Sequence, residues 1–151
     1  MMSVGKDGLI RRFWDIWTKL LIDLDESEGC IVVEGVHDRD ILLELNVASD
    51  KIVVIGSRRL DDVVMLITRK FRCVYLFLDR DYRGRYKAIA LRRKLIRKNV
   101  KVLDVWEQVF SLLSRYGFKS VRKVEEMKKF VGIVRKENFV FTRDIRRLCG
   151  L

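Results

Sequence analysis

Four short β-rich runs, at 30–34, 51–55, 73–78 and 100–103, alternate with helical patterns at 38–45, 60–71 and 85–98. The runs are almost continuously apolar, with few polar interruptions. A strand that faces water on one side alternates apolar and polar residues, whereas a run apolar at nearly every position is covered on both faces. The alternation of such strands with helices predicts an α/β, Rossmann-like architecture: a four-stranded parallel sheet with helices on both faces. Extra helices are expected at each end. Ile10, Phe13, Trp17, Leu20, Leu21 and Leu24 recur at three- and four-residue spacing, which gives a helix over 6–27 that Gly29 ends. Further helical patterns cover 105–116, 120–130 and 142–149, the last with Thr142 as a plausible N-cap. Trp14 and Trp17 lie on or beside the first stripe; they read as core, with base stacking as the alternative.

At 151 residues, 49% of them apolar, the chain reads as one domain over 1–151 with a real core. Proline is absent, and no low-complexity linker divides the chain. No apolar run approaches membrane-spanning length and no secretory signal pattern opens the sequence, so the expectation is a cytoplasmic protein without a membrane partner. Cys30, Cys73 and Cys149 show no metal-binding or redox spacing and read as small apolar residues. The chain holds 32 Lys and Arg against 21 Asp and Glu, a net charge of +11. An excess of one sign on that scale points to a polyanionic partner, because Lys and Arg displace counterions from phosphates.

Two of the apolar runs end in a carboxylate followed by a glycine. The first ends in Glu34-Gly35, with His37 and Asp38 close behind. The second ends in Leu78-Asp79-Arg80-Asp81-Tyr82-Arg83-Gly84. Neighbouring parallel strands open their carboxyl ends onto one crevice, so Glu34, Asp79 and Asp81 are expected to converge there. Residues two apart in an extended segment point the same way, which lets Asp79 and Asp81 reach one hard cation. Gly84 is expected to let the loop turn tightly into the next helix.

A strand ending in Glu-Gly, then Asp, then a strand ending in Asp-x-Asp-x-x-Gly resembles the Toprim domain. That catalytic module is shared by topoisomerases, bacterial primases, recombination proteins and the nucleases that mature 5S ribosomal RNA. The resemblance covers 29–104, with 6–28 as a leading helix and 105–151 as a helical extension. Gly56, after Ile52-Val53-Val54-Ile55, matches the glycine behind the family's second strand. The whole chain is similar to small stand-alone archaeal Toprim proteins, whose late Val-Glu segment is matched by Val124-Glu125-Glu126. The resemblance implies Glu34 as general acid/base, and Asp79 and Asp81 as ligands of Mg²⁺ or Mn²⁺, with Glu34 and Asp38 as further ligands or their supports. Arg85 stands where many members carry an acid. Nothing resembles a tyrosine-bearing topoisomerase domain, a zinc segment or an ATPase module.

Nine basic residues fall between Arg80 and Lys98, opposed only by Asp81. Arg80, Arg83, Arg85 and Lys87 flank the second motif, and Arg58 and Arg59 follow Gly56 at another strand end. Basic residues gathered at one edge of a sheet suit a nucleic-acid backbone. Tyr82 reads as a packing or substrate-contact residue, and His37 as a loop or phosphate contact. The functional expectation is Mg²⁺-dependent phosphoryl transfer on nucleic acid, with RNA favoured over DNA. The alternatives are a non-catalytic nucleic-acid-binding or ribonucleoprotein component whose acidic site binds metal, and a subunit of a larger protein assembly docked through its basic face.

Overall fold

In a computed structural model describing residues 5–137, the apolar runs become β1 (Gly29–Val33), β2 (Ile52–Val54), β3 (Cys73–Leu76) and β4 (Lys101–Leu103). They form one sheet in the order β2-β1-β3-β4, and every neighbouring pair is parallel. The described helices are α1 (Lys6–Glu26), α2 (Val36–Glu44), α3 (Leu60–Lys70), α4 (Tyr82–Arg97), α5 (Trp106–Tyr116) and α6 (Lys128–Glu137). None is long and apolar enough to cross a membrane.

Side chains along a strand alternate between the two faces, and both faces are covered. Ile31, Val33, Tyr75 and Phe77 pack beneath α1, α2, α5 and the C-terminal segment. Cys30, Val32, Val74 and Leu78 pack beneath α3 and α4. Every residue of β1 is buried, which explains the unbroken apolar run. Full burial of each such Val or Ile contributes about 2 kcal/mol.

The first face is aromatic. Phe13 stacks on Trp17, and Phe77 stacks on Trp106 with ring centres 5.0 Å apart. Trp14, Trp17 and Trp106 are buried, and their indole N–H groups donate to the carbonyls of Val134, Leu45 and Leu78 respectively. Trp14 and Trp17 are therefore core residues, unable to stack on a base. Cys30 and Cys73 are buried free thiols, and burial pushes Cys30 up to about 12. Cys149 and the helix expected at 142–149 lie outside the described residues.

Helices α2 and α4 end alike. Asn46 and Asn99 take left-handed conformations, with φ of 69° and 61°. The N–H of Val47 then bonds to the Leu42 carbonyl, and that of Val100 to the Leu95 carbonyl, closing each helix in a Schellman motif. The helix expected over 120–130 is instead a 3₁₀ turn, Val124–Met127, that leads into α6. Val121, Val124, Met127 and Phe130 are buried at a spacing of three, which suits a tight turn as well as a helix. Gly29 starts β1 rather than ending α1. A Cβ there would stand 2.7 Å from Cys73 Sγ on the adjacent strand.

Candidate functional site

The chain leaves β1 toward β2 on one side and reaches β3 on the other, so the order β2-β1-β3-β4 reverses between β1 and β3. In open parallel sheets the crevice beyond such a reversal is where ligands bind. Glu34 follows β1 and Asp79 lies just past β3, one on each side of that crevice.

The two carboxyl groups lie within hydrogen-bonding reach of each other, and both side chains are mostly buried. Two carboxylates cannot both ionise at that separation without help. Burial, the hydrogen bond to Glu34, and the charges of Glu34 and Asp38 push the Asp79 carboxyl up to about 8; Lys123 pulls the other way. Lys87 Nζ, from α4, stands 3.2 Å from Glu34 Oε1, and Lys123 Nζ stands 3.9 Å from Asp79 Oδ2. The Lys87 pairing is one of charge only. Glu34 Oε1 is buried and receives no directed hydrogen bond. The cation beside it is the Lys87 ammonium, which a bound metal ion would have to displace.

Asp38 and Asp81 are held differently. Asp38 is buried and accepts two backbone hydrogen bonds, from Gly35 N at 3.0 Å and from Glu125 N at 2.8 Å. It thereby ties the start of α2 to the 3₁₀ turn of the C-terminal extension. Its burial raises its pKa, and the two backbone bonds oppose that rise. Asp81 is the N-cap of α4, and its Oδ1 accepts from Gly84 N at 2.7 Å. Strand β3 ends at Leu76, so the period-two argument for Asp79 and Asp81 pointing alike does not apply to them. Only Oδ2 of Asp81 is left by the cap.

Gly84 belongs to the first turns of α4 rather than to a turn before it. Its role is close approach: a Cβ there would lie 1.9 Å from the Asp79 carbonyl oxygen. The helix is thus seated directly on the backbone of Asp79. Gly56 carries the conformational demand, with φ at +57°. Its N–H donates to the Glu34 carbonyl at 2.9 Å. Gly35 is the extended N-cap of α2.

The basic residues divide into three groups. Arg80 is mostly buried, stacks over the Phe110 ring at 3.7 Å and pairs with Glu107, so it braces α5 instead of facing a ligand. Lys87 is turned to Glu34 inside the site. Arg58, Arg59, Arg83 and Arg85 are exposed, and Arg85 shares a cleft with Asp79. His37 is exposed, and its Nδ1 stands 4.0 Å from Asp40 Oδ2. A cleft of about 210 Å³ runs from Asp79 past Arg85, Ile89 and Arg92 to Trp106 and Glu107.

Lys123 was not legible in the sequence as a site residue. It comes from the C-terminal extension, and only the match at Val124-Glu125 marked that stretch. Among the described residues, no three His, Cys, Asp or Glu side chains form a ready-made metal cluster. Mg²⁺ does not require one, since it keeps several waters and often binds one or two carboxylates together with substrate phosphate. The Glu34–Asp79 pair, with its orphaned buried oxygen and Asp81 two residues on, fits that looser requirement.

No protein-family model matches the chain, and no curated protein matches it. Among solved structures it is similar to a protein of Aquifex aeolicus, at 21% identity and a TM-score of 0.57, over 74% of this chain and 95% of that one. At that identity the likeness shows the α/β fold and nothing of the chemistry.

Proposed function

We propose that the chain performs Mg²⁺-dependent phosphoryl transfer on nucleic acid, most simply hydrolysis or processing of RNA, from a Toprim-type centre. The observation that carries this reading is the contact between Glu34 and Asp79 at the reversal of strand order. A fold alone does not fix an activity; the site's chemistry has to supply the argument.

Asp79 and Asp81 Oδ2 would hold the ion. When bound, it supplies charge neutralisation to the transferring phosphoryl group. Glu34 would take or return the proton at the phosphodiester oxygen, as a general acid/base. Lys87 and Lys123 stand near enough to move from the carboxylates to an arriving phosphate. Asp38 positions the loop that carries Glu34 by fixing Gly35. Arg58, Arg59, Arg83 and Arg85 would draw the backbone in. RNA is preferred to DNA on the resemblance to the RNA-maturing branch of the family, which is an analogy of motifs. Action in the cytoplasm, alone or within a ribonucleoprotein assembly, belongs to the same proposal.

One observation favours a non-catalytic binding component instead. Lys87 and Lys123 already offset the two carboxylates, as in a site that neutralises itself. The experiment that separates these readings is Glu34→Gln assayed on structured RNA with Mg²⁺. The catalytic reading expects cleavage to fall about a thousandfold, within the range for loss of a general acid/base, with RNA affinity in EDTA unchanged. The binding reading expects no Mg²⁺- or Mn²⁺-dependent cleavage by the native chain, and affinity that falls steeply with salt.

A further inference from the structure

Helix α4 hides one face and leaves another without a partner. Leu91 and Leu95 are buried against the sheet. On the opposite side Tyr82 is 87% exposed, Tyr86 68%, Ile89 55% and Ile96 53%. With Arg93 these positions fall at intervals of four and three, so they form one stripe along the helix. The other large exposed apolar side chains of the described residues, Val36, Leu43 and Met65, are scattered over α2 and α3. Single exposed apolar residues are ordinary surface; a stripe of four on one helix is a contact surface.

The charge around the stripe has one sign. Helix α4 carries seven Lys and Arg and no acid. Lys87 and Lys94 are paired, with Glu34 and Asp61. Arg83, Arg85, Arg92, Arg93 and Arg97 form no ion pair among the described residues. A surface of this kind is complementary to a polyanion that also offers flat apolar faces.

We infer that Tyr82 and Tyr86 form a stacking platform for unpaired bases, making single-stranded nucleic acid the preferred ligand of the site. This deepens the reading above and rests on it. The two rings project from successive turns, about 6 Å apart along the axis. The stripe begins immediately after Asp81, so a strand whose phosphate lies at Glu34 and Asp79 brings its flanking bases to Tyr82 first. In a duplex those base faces are covered by their neighbours; in a single strand they are free to stack on aromatic side chains while arginines follow the backbone.

The test is equilibrium binding of the full chain, in EDTA, to a labelled single-stranded oligoadenylate and to a blunt RNA duplex of the same length. Tyr82→Ala and Tyr86→Ala should each weaken the single strand about tenfold, the usual effect of removing one stacking ring. Tyr82→Phe and Tyr86→Phe should restore it, because the ring remains. Duplex affinity and the salt dependence should not change in any of the four variants. The inference is overturned if the alanine variants bind the single strand as the native chain does, or if both ligands weaken equally. It is also overturned if sedimentation shows that the stripe joins two copies of the chain and that Tyr82→Ala separates them. Native protein that binds neither ligand defeats the broader nucleic-acid reading, whereas equal binding of both with silent tyrosines defeats only this one.

Discussion

Glu34 and Asp79 form one carboxylate pair, and Asp38 and Asp81 form another set a few residues away in the same two motifs. The first two face each other across the crevice and are opposed by lysine side chains. The second two are aimed at backbone N–H groups and hold the ends of helices. Residues of one chemical type, in the same two motifs, thus divide into a facing pair, the one proposed to be reactive, and a supporting pair. The division follows from donors. A carboxylate given backbone N–H donors has partners that favour its charge; one given another carboxylate does not.

That contrast can be broken at either pair. The largest effect on stability is expected at Asp38, because Asp38→Ala removes two charge-assisted hydrogen bonds and strands two N–H groups. Urea unfolding should show a loss of about 3 kcal/mol with an unchanged slope. A loss below about 1 kcal/mol would place Asp38 with the reactive pair instead. Asp81→Ala removes one cap bond and should cost about 1 kcal/mol by the same measurement. Its effect on Mg²⁺-dependent activity should exceed what that small destabilisation explains.

The reactive pair should respond to pH. Without a cation, the fold holds the Asp79 carboxyl protonated up to about 8, against an ordinary value of 3.8. An acid whose pKa is raised by folding contributes stability that is complete below its unfolded value and lost as pH climbs through its folded one. The chain in EDTA should therefore become less stable between about pH 4 and pH 8, and Asp79→Asn should flatten that slope. Thermal unfolding across this range checks it. Mg²⁺ at saturation should restore stability at the upper end, because a ligand that binds only the folded state stabilises it.

Much of this was legible in the sequence because burial leaves a pattern. β1 is apolar throughout since both of its faces are covered, and Glu34 is the first polar residue after it. The strand order then brings Glu34 and Asp79 together, as the parallel-sheet argument expects. Less legible were features decided by tertiary contact. Arg80 looked like its exposed neighbours until Phe110 and Glu107 enclosed it. Lys123 and the N–H of Glu125 reach the site from a segment with no local signal for that role. Gly84 read as a turn residue, although what excludes a side chain is the carbonyl of Asp79 beneath it.

Everything proposed for this site requires Asp79, facing Glu34 and followed by Asp81, to take a divalent cation. Titration of the full chain with Mn²⁺, followed by electron paramagnetic resonance, tests it most directly. Native protein should show a saturable site that is lost in Asp79→Asn and kept in Asp38→Asn, whose remaining side-chain oxygen can still accept one of the two backbone hydrogen bonds. Native protein that binds no Mn²⁺, or an Asp79→Asn variant that binds it as tightly as the native chain, would contradict it.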